Sequence, residues 1–228
     1  MTPPVEIQQT LKRVVDVAVA ASLLATGAPL WIALGLAIRA ESPGPALFRQ
    51  KRLGRGGKLF TLLKFRTMRA GAPPRFNADG SMSVTEGDDR LTRLGAVLRG
   101  GVDEIPQLIN VLRGEMSLVG PRPDLDIHLD LYDPEDHGKL SVRPGITGLP
   151  AVLGRNEIPW KTRTAIDRLY IAHWSLGLDL RIAIATMGLA LAQDRAMPDD
   201  VLPGLRELLD EARTSDPTGP GAPFPWHA

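Results

Sequence analysis

Asp103 and Glu104 are adjacent carboxylates just ahead of Pro106, at the head of an apolar run from Ile105 to Leu112. Proline is accepted in a helix only at its first turn, so this run predicts a helix with both carboxylates at its N-terminus. There the helix dipole and free N–H groups favour negative charge; they keep a carboxylate ionised and can also hold a phosphate. Neighbouring side chains at a helix start point in different directions. One could attack phosphorus while the other holds a divalent cation, and Mg²⁺ suits such a site, since it takes one or two carboxylates plus phosphate oxygens. An aspartate at a helix start is also a routine cap, so the pair gains weight only from its setting. Part of that setting is Arg122, locked between Pro121 and Pro123. A guanidinium on a rigid turn is suited to forked binding of phosphate.

A second feature is a basic block. Between Arg39 and Arg69 the cations are Arg39, Arg49, Lys51, Arg52, Arg55, Lys58, Lys64, Arg66 and Arg69, opposed only by Glu41. Such a block is either a solvated face or a surface for anionic lipid headgroups or a nucleotide's phosphates. The whole chain has 228 residues and a net charge of +1, which fits one domain and argues against a nucleic-acid partner. There is no cysteine, so disulfides, thiolate metal sites and cysteine nucleophiles are excluded. His128, His137, His173 and His227 have no zinc-type spacing. The glycines from Gly54 to Gly57 before Lys58 are not a Walker A loop, because no Ser or Thr follows the lysine. Ser175 near His173 lacks any elbow motif.

Positioning starts with Val17 to Ile38, an uncharged stretch about as long as the ~20 residues needed to cross a bilayer. A buried core helix, a spanning helix and a re-entrant hairpin all fit that length. Two features favour the hairpin. Gly27-Ala28-Pro29 sits mid-segment, and Pro29 removes a backbone donor and clashes with the preceding turn. Cations flank both ends, Lys12 and Arg13 before and the basic block after, which places both flanks on the cytoplasmic side. Asp16 is expected to pair with Lys12 or Arg13 as an interfacial anchor.

Met1 to Thr10 reads as a lead-in. Ala46 to Arg52 and Leu59 to Arg66 read as strands joined at Gly54, Gly56 and Gly57. Residues 71–89 form a polar loop that could act as a lid. Helices are expected over Asp89 to Leu98, Ile105 to Leu112, Asp124 to Tyr132, Thr162 to His173, Leu178 to Gln193 and Leu202 to Arg213. Gly114 to Pro123 reads as a loop, and Val142 to Gly154 as irregular or strand-like. Leu178 to Gln193 is apolar with charge at one end, so it packs in the core or lies in a membrane interface. Residues 214–228 are Pro- and Gly-rich and expected to be disordered.

Taken in order, several motifs resemble the bacterial sugar transferase family, the monotopic phosphoglycosyl transferases. They are Lys12-Arg13 with Asp16; the apolar segment with Pro29; Ser42-Pro43-Gly44-Pro45 with Phe48 and Gln50; and Lys64-Phe65-Arg66-Thr67-Met68. Then come Asp103-Glu104 with Pro106-Gln107-Leu108, Met116 through Pro123, Arg143-Pro144-Gly145-Ile146-Thr147-Gly148, and Gly154-Arg155-Asn156. The resemblance covers Leu11 to about Leu191. Each motif is weak singly; their order and number are specific.

The resemblance implies an α+β, mainly helical fold: a re-entrant membrane helix within residues 1–40, a cytoplasmic catalytic domain over 41–213 with a small β-hairpin, and the tail 214–228. It implies transfer of a phosphosugar from a UDP-sugar, expected to be N-acetylated, to polyprenol (undecaprenyl) phosphate, with release of UMP. The place would be the cytoplasmic face of the bacterial inner membrane, in contact with lipid. By the same resemblance Asp103 is the nucleophile and Glu104 the Mg²⁺ ligand. Arg122, with Pro121 and Pro123, binds phosphate or nucleotide; Lys64 and Arg99 supply upstream cations; Arg143 and Arg155 face the nucleotide or diphosphate. The chain departs from the family pattern at Ala28, where a Ser is usual, at the short Gly100-Gly101-Val102 link, and at Pro150-Ala151-Val152-Leu153. Two other readings are a glycosyltransferase that releases UDP and a membrane adaptor with a degenerate site.

Overall fold

The computed structural model describes residues 5–77, 85, 87–153 and 158–192. The chain is mainly helical with a small β component. Helix α1 (Val5–Glu41) is followed by an antiparallel hairpin, β1 (Leu47–Leu53) and β2 (Leu59–Phe65), paired from Leu47↔Phe65 to Leu53↔Leu59. Short helices α2 (Arg93–Leu98) and α3 (Gln107–Leu112) come next. Strands β3 (Ser117–Val119) and β4 (Gly145–Thr147) pair in parallel, and α4 (Leu149–Leu153), α5 (Trp160–Ala172) and α6 (Leu176–Ala192) complete the described fold.

The expected lead-in from Val5 to Thr10 is instead the first part of α1. The segment Glu6–Glu41 is long and apolar enough to cross a membrane. Helix α1 continues through Pro29. Pro29 has no N–H to give the Ala25 carbonyl one turn earlier; near that gap the Trp31 indole N–H donates to the Leu23 carbonyl at 3.2 Å. Gly27 makes this possible, because a Cβ there would collide with the Trp31 ring.

One face of α1 lies against the rest of the chain along most of its length. Ala20 joins Phe60, Leu62, Leu108, Val111 and Met116 in one buried cluster, and Ile38 joins Phe65 and Leu98 in another. Around the rest of its circumference α1 exposes Val15, Val19, Leu23, Leu30, Ile32 and Leu36. Asp16 does not pair with Lys12 or Arg13. It is buried and accepts from the Ser117 hydroxyl at 2.7 Å and the Leu118 N–H at 3.1 Å. Lys12 turns instead to Asp179, at 2.6 Å, and to the Val119 carbonyl, while Arg13 reaches the Leu112 carbonyl. The reason is burial: a desolvated carboxylate gains more from two donors inside the fold than from an exposed neighbour one turn away. At the far end, the buried Arg66 guanidinium caps α1 by donating to the carbonyls of Ile38, Ser42 and Pro43 and to the Ser42 hydroxyl.

A further cluster packs β3 against α4, α5 and α6 through Val119, Leu149, Ile166, Tyr170 and Ile182. Helix α6 buries Ile182 and Ala185 there and leaves Leu180, Ile184 and Met187 exposed, so it belongs to the core on one face and carries an apolar strip on the other. The expected Asp89–Leu98 helix begins only at Arg93. The Thr92 hydroxyl caps it by accepting from the Gly95 N–H, and the residues before it are used in a turn where Arg90 grips the buried Asp88. The Asp124–Tyr132 segment forms a 3₁₀ helix over Asp126–Leu131; the expected Gly114–Pro123 loop instead contains β3, and Val142–Gly154 supplies β4 and then α4. The expected helix Leu202 to Arg213, the tail 214–228, the motif Gly154-Arg155-Asn156 and most of the centre of the 71–89 loop lie outside the described residues.

Candidate active site

Strand period places the first cation. On β2, Phe60, Leu62 and Lys64 share a face, and the first two pack on α3. Lys64 is the next residue on that face, which carries its ammonium to the approach to α3. Asn110 fixes α3 on the strand. It is fully buried, accepts from the Leu63 N–H and donates to the Thr61 carbonyl.

Asp103 and Glu104 sit in a 3₁₀ turn, Val102–Glu104, that leads into α3; Pro106 stands at the cap of α3. The carboxylates therefore lie one turn before the helix rather than in its first turn. Gly101 has φ of +127°, a conformation that side-chain-bearing residues rarely adopt, and this bend turns Asp103 inward.

The two carboxylates have different surroundings. Glu104 Oε1 accepts from Lys64 Nζ at 2.5 Å and from Arg122 at 3.3 Å. Burial alone would raise its pKa, but Arg122 and Lys64 outweigh that and hold it at about 2. Asp103 is buried, and Lys64 Nζ stands 3.9 Å from its Oδ2, beyond hydrogen-bond reach. Burial and the neighbouring Glu104 push the Asp103 carboxyl upward, while Lys64, Arg99 and Arg122 oppose the rise. Lys64 is itself lowered by burial, against the pull of Glu104.

Arg122 reaches the pair from a turn braced on both sides. Before it, the Gly120 N–H donates to the Thr147 carbonyl and the Gly145 N–H to the Pro121 carbonyl, each at 2.9 Å. Gly120 and Gly145 approach so closely that a side chain on Gly145 would strike the Gly120 backbone. After the turn, the buried Asp124 accepts from Tyr132, Lys139 and Trp160, at 2.7, 2.7 and 3.1 Å. Pro121 and Pro123 are buried, whereas the Arg122 side chain is 44% exposed. A braced base and an open tip suit a guanidinium that meets ligand from solvent.

Lys64, Asp103, Glu104 and Arg122 are thus brought together. Arg99 stands at the end of α2, close enough to act on Asp103 through its charge but not within ion-pair distance. Arg143 goes elsewhere. It donates to the Gly114 carbonyl at 2.9 Å, and its charged neighbours are Arg13, Arg55 and Asp16. Arg155 lies outside the described residues, and Pro29 belongs to α1. Sequence reasoning does not single out Asn110, and it names Gln50 only in a motif and Arg52 only in the basic block, with no place in the site. The hairpin register could have placed these two, since Gln50 and Arg52 lie opposite Leu62 and Phe60 on the face of Lys64.

Among the described residues no group of three or more His, Asp or Glu side chains forms a self-sufficient metal site. Two adjacent carboxylates fit a cation that takes its other ligands from a substrate's phosphates.

The family model for bacterial sugar transferase matches residues 7–193, which include every element of this site. The chain belongs to the bacterial sugar transferase family. Relatives within it include the UDP-glucose:undecaprenyl-phosphate glucose-1-phosphate transferase of Caulobacter vibrioides, 47% identical over 81% of this chain and 71% of that protein. The exopolysaccharide production protein ExoY of Rhizobium meliloti is 38% identical over 77% of this chain and 83% of its own. The undecaprenyl-phosphate galactose phosphotransferase of Salmonella typhimurium is 36% identical over 82% of this chain but only 41% of its own length. This sugar transferase is therefore an enzyme, and the adaptor reading falls away.

Proposed function

We propose that the enzyme transfers a sugar phosphate from a UDP-sugar to undecaprenyl phosphate through an aspartyl-phosphosugar intermediate. The observation that carries this reading is the division of labour between neighbours: Glu104 is tied to Lys64 and Arg122, while Asp103 is buried beside them without a hydrogen-bonding cation. Asp103 attacks the β-phosphorus of the donor. A P–O bond forms to its carboxylate, the bond from that phosphorus to the bridging oxygen breaks, and UMP leaves. An oxygen of the lipid phosphate then attacks the same phosphorus and frees Asp103. A carboxylate nucleophile splits one difficult displacement into two easier ones. Lys64 faces both carboxylates and offsets charge as the phosphoryl group moves; Arg122 holds phosphate at the open side. Glu104 is the residue that would hold Mg²⁺, which when bound supplies positive charge to the donor's diphosphate.

The same reading places the enzyme on the cytoplasmic face of the inner membrane, with α1 re-entrant. Its support is that the flanks of α1, at Asp16 and at Ile38, dock on one body, while its exposed face is apolar. A helix held this way keeps both ends on one side. Because the chain has no cysteine, single cysteines placed before Lys12 and after Arg39 can be labelled without background. Labelling from opposite sides of the membrane would refute the topology.

The reaction is tested by product. The enzyme in detergent, with Mg²⁺ and undecaprenyl phosphate, is given UDP-glucose, UDP-galactose and UDP-N-acetylated sugars. UMP release over many turnovers that needs the lipid supports phosphosugar transfer and names the sugar. UDP release assigns a glycosyltransferase instead.

A further inference from the structure

The cations of β1 lie on opposite faces. Arg49 and Lys51 are exposed, whereas Arg52 is partly buried on the face shared with Lys64. The Arg52 guanidinium is held entirely by neutral acceptors. Its Nε and one Nη donate to Gln50 Oε1 at 3.1 and 2.7 Å, and its other Nη donates to the Pro123 carbonyl at 3.0 Å. Among the described residues no carboxylate oxygen comes within 4.0 Å of it. Burial and the nearby Arg122 push its pKa down to about 10, with Asp124 and Glu104 pulling the other way.

A desolvated cation beside another cation is costly unless an anion joins it. Gln50 matters here: its amide oxygen orients the guanidinium without neutralising it. A glutamate in that place would hold the same geometry and cancel the charge. The Pro123 carbonyl, one residue beyond Arg122, ties Arg52 to the turn that carries the other guanidinium. Two arginines, one on the braced turn and one on β1 tied to it, with only Arg122 paired to a carboxylate, form a receptor with one positive charge to spare.

We propose that Arg52 is a second phosphate-binding cation of this site, kept unneutralised by Gln50 so that it can receive a phosphate oxygen. That oxygen belongs either to the nucleotide's diphosphate or to the lipid phosphate. The inference rests on the phosphate-transfer reading above, and Gln50 acts in it as a positioning residue.

The test is calorimetric titration of the full chain in detergent with UDP and, separately, with undecaprenyl phosphate. The variants are Arg52→Gln, which keeps a donor for the Pro123 carbonyl but loses the charge, and Gln50→Glu, which keeps the brace but neutralises it. Arg49→Gln, on the exposed face, is the control. Both site variants are expected to weaken UDP binding by about tenfold or more, the loss of one charge-assisted bond, with the control unchanged. Loss confined to undecaprenyl phosphate also supports the subsite and assigns it to the lipid. If Arg52 is merely a strut, Gln50→Glu strengthens its hold and both ligands bind as before, which overturns the proposal. A wild-type chain that binds UDP yet releases no UMP from any UDP-sugar would defeat the transferase reading and leave the subsite standing.

Discussion

Lys64 sits 2.5 Å from Glu104 but 3.9 Å from Asp103, so one ammonium grips the supporting carboxylate and only leans toward the reacting one. Replacing it tests that arrangement. Lys64→Gln should lower kcat by about a hundredfold or more, the usual cost of one preorganised donor at a site of developing charge. Lys64→Arg should recover part of it. A loss of fold, checked by circular dichroism, would attribute the effect to packing.

The pH profile follows from Asp103. Its pKa is raised by burial, so its nucleophilic, ionised form is complete only at a higher pH than for an ordinary carboxylate. Activity with donor should rise with pH through that raised pKa, while Glu104, held at about 2, stays ionised throughout. Glu104→Gln removes a like charge beside Asp103 and should move this acid limb to lower pH; Lys64→Gln removes an attraction and should move it higher. Initial rates of UMP release from pH 4 to 8 would show both shifts. Limbs that do not move, or that move in the opposite senses, would separate the profile from Asp103.

Asp16 joins α1 to the strand that precedes the Arg122 turn. Asp16→Ala leaves the buried Ser117 hydroxyl and the partly buried Leu118 N–H without this acceptor and should cost about 1–3 kcal/mol. Asp16→Asn keeps an oxygen there and should cost less. Thermal unfolding in detergent ranks the two.

Gly145→Ala places a methyl group against the Gly120 backbone and should displace the Pro121-Arg122-Pro123 turn. Donor kcat/KM should fall by about a hundredfold, as expected when a substrate-positioning group moves by an ångström. Full activity would mean that the turn does not need this contact.

Lys139 is buried between Asp124 and Asp167, 2.7 and 2.9 Å away. Lys139→Met takes the buried ammonium from Asp167 and from Asp124, which keeps Tyr132 and Trp160, and should destabilise the fold by about 3–5 kcal/mol. Denaturant titration would measure it, and near wild-type stability would contradict the buried charge assignment.

Much of this site is legible in the sequence, because period and punctuation carry it. Gly54, Gly56 and Gly57 mark the hairpin, and once β1 and β2 are paired the position of Lys64 follows from alternation. The Asp103-Glu104 pair stands out only through its setting, with Pro106 after it and the proline-locked Arg122 downstream. The misplaced residues depend on partners far along the chain. Asp16 finds Ser117, and Lys12 finds Asp179, across separations that no local spacing encodes. Arg143 looks like a phosphate ligand by type, yet it serves the Gly114 carbonyl. Pro29 suggests a break, yet α1 runs through it, and the Trp31 indole that donates to the Leu23 carbonyl nearby becomes visible only when the helix is built.

The most direct measurement is the intact mass of the enzyme after mixing with its UDP-sugar and Mg²⁺ in the absence of undecaprenyl phosphate. A single added phosphosugar, mapped to Asp103, lost in Asp103→Asn and discharged when undecaprenyl phosphate is supplied, is the predicted result. Turnover that runs undiminished in Asp103→Asn, or an adduct mapped to another residue, would contradict the covalent role of Asp103.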